Sequence, residues 1–247
     1  MEGFSSNKER MMKMEENAKP LGRKSYGSIG HFPTSRLCEG EHKITDGQYK
    51  ICTENPRDRH DIIIVQEKLD GSNVGICKLN GQILAITRAG YLADTSPYEM
   101  HHMFSTWLKN NKNRFDFLND RERACGEWLV QAHGTKYDLP HEPFVIFDLM
   151  VEEKRLNYLE FIRRSSKGYF VYPKLISYGK PVELDWVLKR LEPSGHGALE
   201  KVEGAVWRVE RKGEVDFLAK YVRPDKIDGS YLIKDGVKLE PTWNTWK

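Results

Sequence analysis

Lys68-Leu69-Asp70-Gly71-Ser72-Asn73 follows the apolar run Ile62-Ile63-Ile64-Val65 after only Gln66-Glu67, so a strand delivers a lysine into a tight polar turn. A lysine amine becomes a nucleophile once it loses its proton, and a strand end fixes where that amine points. Gly71 permits a close backbone approach, while Asp70, Ser72 and Asn73 supply short polar groups able to orient a phosphate or a ribose. Taken alone, these residues read equally well as an Asp-Gly turn carrying a solvated lysine. The rest of the chain separates the two readings. Arg88, Glu127, Asp148, Glu203 and Lys220 also stand at the ends of apolar runs. Unpaired charges are costly to bury, so charges flanking several separate strands are expected to meet in one shared polar cleft.

The elements that must position these groups are visible as periodicities. Val74 to Arg88 alternates around Asn80-Gly81, a dipeptide suited to a two-residue hairpin, which returns Arg88 to the end of the sheet that holds Lys68. Met100, Met103, Phe104, Trp107 and Leu108 fall at helical spacing, as do Leu156, Leu159, Phe161 and Ile162, and both sets are expected to be core stripes. Phe144 to Met150 reads as a strand interrupted only by Asp148. Leu184, Val187, Leu188 and Leu191 read as a helix that stops before Pro193. A last strand pair runs from Gly204 to Tyr221 and folds back at Lys212-Gly213, with Glu203 at its start and Lys220 near its end.

These elements predict an α+β fold with antiparallel sheets flanked by helices. Residues 1–25 are polar and basic and are expected to form a flexible amino-terminal segment ahead of a single domain over 26–247. A chain of 247 residues buries a core without staples, and Cys38, Cys52, Cys77 and Cys125 show neither CxxC pairing nor zinc-type clustering. With no signal peptide or long apolar span, the expectation is a cytoplasmic protein with reduced thiols and no membrane contact. The net charge is only +3, so a polyanionic partner would have to be held by a local basic face. The residues around Lys154-Arg155, Tyr158, Arg163-Arg164, Lys167 and Tyr169 have the composition of such a face, and the loop from His31 to Arg36 offers a second basic contact. His101-His102 do not read as a metal pair, because adjacent residues on a helix face different ways, and His133 and His141 belong to no ligand pattern.

The spaced charges resemble the motif series of the covalent lysyl-nucleotidyltransferases, the superfamily of ATP-dependent RNA ligases, DNA ligases and messenger RNA capping enzymes. Lys68 to Asn73 matches the nucleophile motif, and its Ser72-Asn73 ending is more like the RNA ligases. Thr87-Arg88-Ala89-Gly90, Gly126-Glu127-Trp128-Leu129, Phe147-Asp148, Glu203-Gly204-Ala205-Val206 and Ala219-Lys220-Tyr221 follow in the family's order. The resemblance implies a nucleotidyltransferase domain, ATP-grasp-like, whose carboxy-terminal OB domain is missing because only 27 residues follow Lys220. It further implies an ATP-dependent RNA ligase in which Lys68 forms a lysyl-AMP intermediate and Lys220 assists.

By the same resemblance, Gln66, Glu67, Asn73, Arg88, Glu127, Phe147, Glu203 and Lys220 bind the nucleotide. Glu127 is implied on the ribose, Phe147 against adenine, and the backbone of Gln66-Glu67 at the adenine edge. Asp148 and Glu203 are implied as ligands of Mg2+ or Mn2+. Lys220 is expected to lie near enough to Lys68 to favour its neutral amine. The family's fifth motif commonly carries two lysines one residue apart, and Arg223 is the candidate to stand in for the second. The implied substrates are ATP and RNA with 5′-phosphate and 3′-hydroxyl ends, with a protein partner standing in for the missing domain. The alternatives are a nucleotide- and RNA-binding module without sealing activity, a DNA ligase, or a GTP-dependent capping-type enzyme.

Overall fold

The computed structural model describes residues 19–227, 229–234 and 236–247. Two five-stranded sheets dominate it. Strands β1 (Gly30–His31), β2 (Asp61–Lys68), β9 (Leu175–Gly179), β10 (Gly204–Arg211) and β11 (Glu214–Val222) form the first, in the order β1-β11-β10-β2-β9. Strands β3 (Ser72–Leu79), β4 (Gln82–Thr87), β5 (Glu122–Trp128), β7 (Phe144–Val151) and β8 (Lys154–Arg155) form the second, in the order β4-β3-β5-β7-β8. Within these two sheets all pairs are antiparallel except β1 with β11. The expected antiparallel α+β architecture is present.

Alternation along the strands decides which face of each sheet meets a helix. In the first sheet Ile63, Val65, Ala205, Trp207 and Val209 pack with residues of α1 (Asp46–Thr53) and α4 (Leu184–Leu191). In the second, Val74, Ile76, Ala124, Trp128, Phe144 and Ile146 pack with Phe104 and Leu108 of α2 (Glu99–Asn111) and Phe161 of α3 (Tyr158–Ser165). The opposite faces carry polar residues, among them Gln66, Lys68, Asn73, Glu127, Arg208 and Lys220, and these line one cavity. A strand has period two, so each carries a core face and a cavity face with no further device.

The helices expected from apolar spacing are present, with one exception in detail. Leu159 is 62% exposed and lies outside the core that Phe161 enters. Both hairpins turn where expected, with Asn80 and Gly81, and Lys212 and Gly213, all at positive φ. The expected flexible segment lies outside the described residues up to position 18. Residues 19–25 are anchored: Leu21 and Ser25 are buried, Ser25 N–H donates to the Arg88 carbonyl at 2.9 Å, and Arg23 pairs with Glu152 at 2.5 Å.

The carboxy-terminal stretch also packs back. A final short strand (Thr245–Trp246) runs parallel to β6 (Asp138–Leu139). Buried Asn244 accepts from Tyr137 N–H and donates to the Leu129 carbonyl, both at 2.8 Å. Tyr137 in turn accepts, at 3.1 Å, the N–H of Asp70 in the lysine turn. Among the described residues no helix is long and apolar enough to cross a membrane.

Candidate active site

Lys68 is the last residue of β2, and the chain passes straight from it into the second sheet at Ser72. That crossing requires Gly71. A Cβ there would stand 2.7 Å from the Trp128 carbonyl oxygen and 2.8 Å from the Leu129 side chain, closer than packed atoms allow. Opposite Lys68, Gly204 begins β10, and a Cβ there would lie 1.8 Å from the Tyr221 carbonyl oxygen. Two glycines therefore let the strands close tightly enough for Glu203 to meet the lysine. Lys68 Nζ donates to Glu203 Oε2 at 2.5 Å and to its neighbour's carbonyl, Leu69 O, at 3.3 Å.

The charge around that ammonium is unbalanced. Burial alone would lower its pKa, but Glu203, Asp70 and Glu127 outweigh burial and hold Lys68 above the ordinary lysine value. Burial, with Glu203 and Asp70 adding and Lys68 opposing, pushes the Glu127 carboxyl up to about 7. Glu127 accepts the Gly71 N–H at 3.2 Å, and Asp70 accepts the Gly134 N–H at 2.9 Å. The sequence expectation that a neighbouring Lys220 would neutralise Lys68 is corrected here. Lys220 Nζ donates instead to Glu41 Oε1 at 2.8 Å, and the charges that act most strongly on Lys68 are carboxylates.

The cavity that Lys68 enters has a volume of about 750 Å³, and both sheets contribute to its walls. Asn73 and Glu127 are cross-strand partners on β3 and β5. The Asn73 Oδ1 is buried and without a hydrogen-bond partner among the described residues. Arg88, just beyond β4, is exposed at the rim, its guanidinium without a hydrogen-bond partner among the described residues. The register slips between β5 and β7, where Cys125 faces Asp148 and Gly126 faces Ile146, so Phe147 is the extra residue of a bulge. A bulge re-aims side chains, and here both Phe147 and Asp148 line the cavity. The Phe147 ring meets Tyr26 edge-on at 5.2 Å.

Three expected site residues stand differently from the sequence reading. Asp148 is 1% exposed and its oxygens are engaged by Arg208 at 2.6 Å, Tyr26 at 2.7 Å and Arg155 at 3.1 Å, which leaves a metal ion beside it facing two arginines. Glu67 turns to the other side of β2, where it accepts from Ser194 Oγ at 2.5 Å and from Gly195 N–H at 2.8 Å. Its own N–H is spent on the Lys174 carbonyl. Arg223 does not join Lys220. It donates to the Val202 carbonyl at 3.0 Å and faces Glu192 at 3.5 Å, while Val222 takes the cavity-lining position two residues after Lys220. Gln66 lines the cavity and donates to the Pro173 carbonyl at 3.4 Å.

The arginines of the basic stretch that runs from β8 into α3 do not form a free phosphate grip. Arg155 is tied to Asp148, Arg163 to Glu160 and Arg164 to Glu122, each at 3.1 Å or less. Sequence reading missed Arg208, Glu41, Tyr26 and Tyr137. The signal for Arg208 was present: in Gly204-Ala205-Val206-Trp207-Arg208-Val209-Glu210, charged residues recur two apart on the face opposite Trp207. Nothing local places Glu41 in the cavity, because the partner that draws it there, Lys220, lies across the fold.

No curated protein sequence matches the chain. Among solved structures it is similar to an archaeal ATP-dependent RNA ligase, form 2, with a TM-score of 0.52 and 18% identity over 80% of this chain and 48% of that one. It is also similar to a mutant of the Naegleria gruberi RNA ligase with ATP and Mn, with a TM-score of 0.50 and 16% identity over 81% of this chain and 60% of that one. At such identities the likeness is one of fold, and the chain spans about half to three fifths of the length of those proteins. The sequence itself matches the RNA ligase family over residues 61–222, a stretch that begins with β2, ends with β11 and includes Lys68, Asn73, Arg88, Glu127, Phe147, Asp148, Glu203 and Lys220, with Tyr26 and Glu41 lying before it; the chain belongs to the RNA ligase family.

Proposed function

We propose that this chain is the adenylyltransferase domain of an ATP-dependent RNA ligase, with Lys68 as its covalent nucleophile. The observation that carries the reading is a single lysine, placed by two close-packed glycines, facing three carboxylates in a cavity that also holds Arg88 and Lys220. Lys68 is charged at rest, so it must first pass a proton to a base. Glu203, at 2.5 Å, is in place to take it. The neutral amine attacks the α-phosphorus of ATP, a P–N bond forms, the P–O bond to pyrophosphate breaks, and Lys68 carries AMP.

An RNA 5′-phosphate oxygen next attacks the same phosphorus, and the amine leaves with a proton regained. A 3′-hydroxyl then displaces AMP to close the phosphodiester. Such transfers ask the protein mainly for alignment and for neutralisation of charge. Lys220 and Arg88 serve the phosphates, Glu127 the ribose hydroxyls, Asn73 the free amide contact its Oδ1 offers, and Phe147 the face of adenine. A bound Mg2+ or Mn2+ supplies further neutralisation, and the carboxylates in excess over Lys68, with Glu203 foremost, are hard oxygen donors that suit it. Reduced thiols at all four cysteines fit a cytoplasmic setting.

The test is label transfer. With ATP labelled in the α-phosphate and Mg2+ or Mn2+, the protein should acquire acid-labile label, and Lys68→Ala should acquire none. Label from GTP but not ATP would move the reading to a capping-type enzyme. A second reading, a nucleotide- and RNA-binding module that does not seal, is favoured by the turned-away Arg223 and the paired Lys220. Nicked duplex and single-stranded RNA, with DNA counterparts in parallel, decide between them: a module binds and leaves every end unjoined.

A further inference from the structure

Glu41 sits on the loop between β1 and α1, yet its carboxylate lies in the same cavity as Lys68. Main-chain bonds fasten this loop to β11. Phe32 N–H donates to the Lys220 carbonyl at 2.8 Å, Arg36 N–H to the Val222 carbonyl at 3.1 Å, and Val222 N–H to Ser35 Oγ at 2.9 Å. From that anchorage one carboxylate gathers two hydrogen-bond donors and the edge of an imidazole. Its Oε1 accepts from Lys220 Nζ at 2.8 Å and lies 3.0 Å from His31 Nε2, and its Oε2 accepts from Cys38 N–H at 2.9 Å. The Arg36 guanidinium lines the same stretch of wall, donating to the Lys226 carbonyl at 2.7 Å and reaching to 3.8 Å from Cys38 Sγ.

An ammonium, an imidazole, a main-chain N–H and a nearby guanidinium make a donor set suited to a tetrahedral oxyanion at least as well as to a carboxylate. Although burial opposes it, Lys220, Cys38 and His31 together hold the Glu41 carboxyl down at about 2, so its charge is present at any working pH. We propose that these donors form a phosphate subsite of the cavity and that Glu41 is its built-in occupant, displaced when the outer phosphates of a nucleotide enter. The proposal rests on the nucleotide reading for its ligand and adds to it a place for the leaving pyrophosphate. Entry is then an exchange of one anion for another. Lys220 is withheld from phosphate until Glu41 lets go, and the apparent affinity is reduced by the fraction of molecules in which it has not.

The experiment compares wild type, Glu41→Gln and Glu41→Ala in equilibrium binding of ATP, inorganic pyrophosphate and adenosine. Both variants should bind ATP and pyrophosphate about three- to tenfold more tightly than wild type and adenosine unchanged, since only the phosphates meet the vacated donors. Tighter pyrophosphate binding in the variants with no ATP binding in any form would keep the subsite and overturn the nucleotide reading. Unchanged or weaker binding of ATP and pyrophosphate by both variants, with adenosine unaffected, would overturn the subsite.

Discussion

Two charged clusters line one cavity, and they are built on opposite terms. Around Asp148, both carboxylate oxygens are answered. Arg208 and Arg155 bind its oxygens along with Tyr26, Arg208 also holds Glu210 at 2.6 Å and the Leu156 carbonyl, and Arg155 lies 4.7 Å over the Tyr26 ring. Around Lys68, one ammonium faces Glu203, Asp70 and Glu127, and Glu127 is left with a carboxyl that titrates near 7. A satisfied buried network rigidifies a fold, whereas an unsatisfied one is a standing cost that persists where something else is to complete it. The contrast favours architecture for Asp148, which braces β7 against β10 across the cavity, and supports the chemistry proposed for Lys68.

The sharpest break in that contrast would come from exchanging the two roles by mutation. Lys68→Arg keeps a cation opposite the carboxylates but removes an amine able to lose its proton. Label transfer should fall by at least about a thousandfold, while the melting temperature stays within a few degrees of wild type. Asp148→Ala should do the reverse in kind. Arg208, 3% exposed, would be left without its main counter-charge, at a cost of about 3–5 kcal/mol. In a chain of this size that is a fall in Tm on the order of 10 °C, measured by calorimetry. An Asp148→Ala protein that melts like wild type but takes no label would show that Asp148 belongs to the chemistry after all.

A smaller effect measures the imbalance itself. The folded protein keeps a proton on Glu127 up to about pH 7, whereas the unfolded chain releases it near 4.5. The folded state therefore binds more protons between those values, and the stability this contributes at low pH is lost as pH rises through about 7. Glu127→Gln removes the titration. Its Tm should exceed that of wild type by a few degrees at about pH 8, with the gain fading towards about pH 4.5. A difference independent of pH would mean that Lys68 fully offsets the surplus carboxylates.

How much of this could be read from residues alone follows the same division. The convergence of residues around Lys68 was legible because they lie in short segments: a lysine at a strand end, a glycine for the crossing, and a glutamate before a glycine. Periodicity placed the hairpins and helices, since alternation and helical spacing are local. The Asp148 side was not legible. Its role depends on a bulge at Phe147 and on arginines seven and sixty residues away, and a run of apolar residues with one aspartate carries no trace of either. Glu41 and Lys220 are 179 residues apart, so their pairing is a property of the fold. The basic stretch on α3 misled for a related reason: composition counts charges, and Glu160 and Glu122, which cancel them, come from a helical turn and from β5.

The smallest predicted effect tests a third network, behind β2, that is satisfied without charge. His141 Nε2 lies 2.8 Å from His196 Nδ1, His196 Nε2 accepts the Lys174 N–H at 3.2 Å, and His141 Nδ1 is 2.6 Å from the Glu142 carbonyl. One arrangement of protons satisfies all three contacts: both rings neutral, each protonated on Nδ1. Burial, with His141 and Lys174 adding, pushes His196 down to about 3. Its stabilising contribution is thus present above about 6.5, the unfolded value, and is lost as pH falls towards 3, because the unfolded chain takes up the proton first. The loss should reach at most about 1.4 kcal/mol per pH unit. His196→Asn, which offers an amide and no titration, should melt slightly below wild type at pH 7.5 and draw level with it near pH 5, followed by thermal melts across that range. Since the Lys174 carbonyl holds the Glu67 N–H one residue before Lys68, label transfer in the variant should fall far less than in Lys68→Arg. A loss as large would place this network with the lysine rather than with the scaffold.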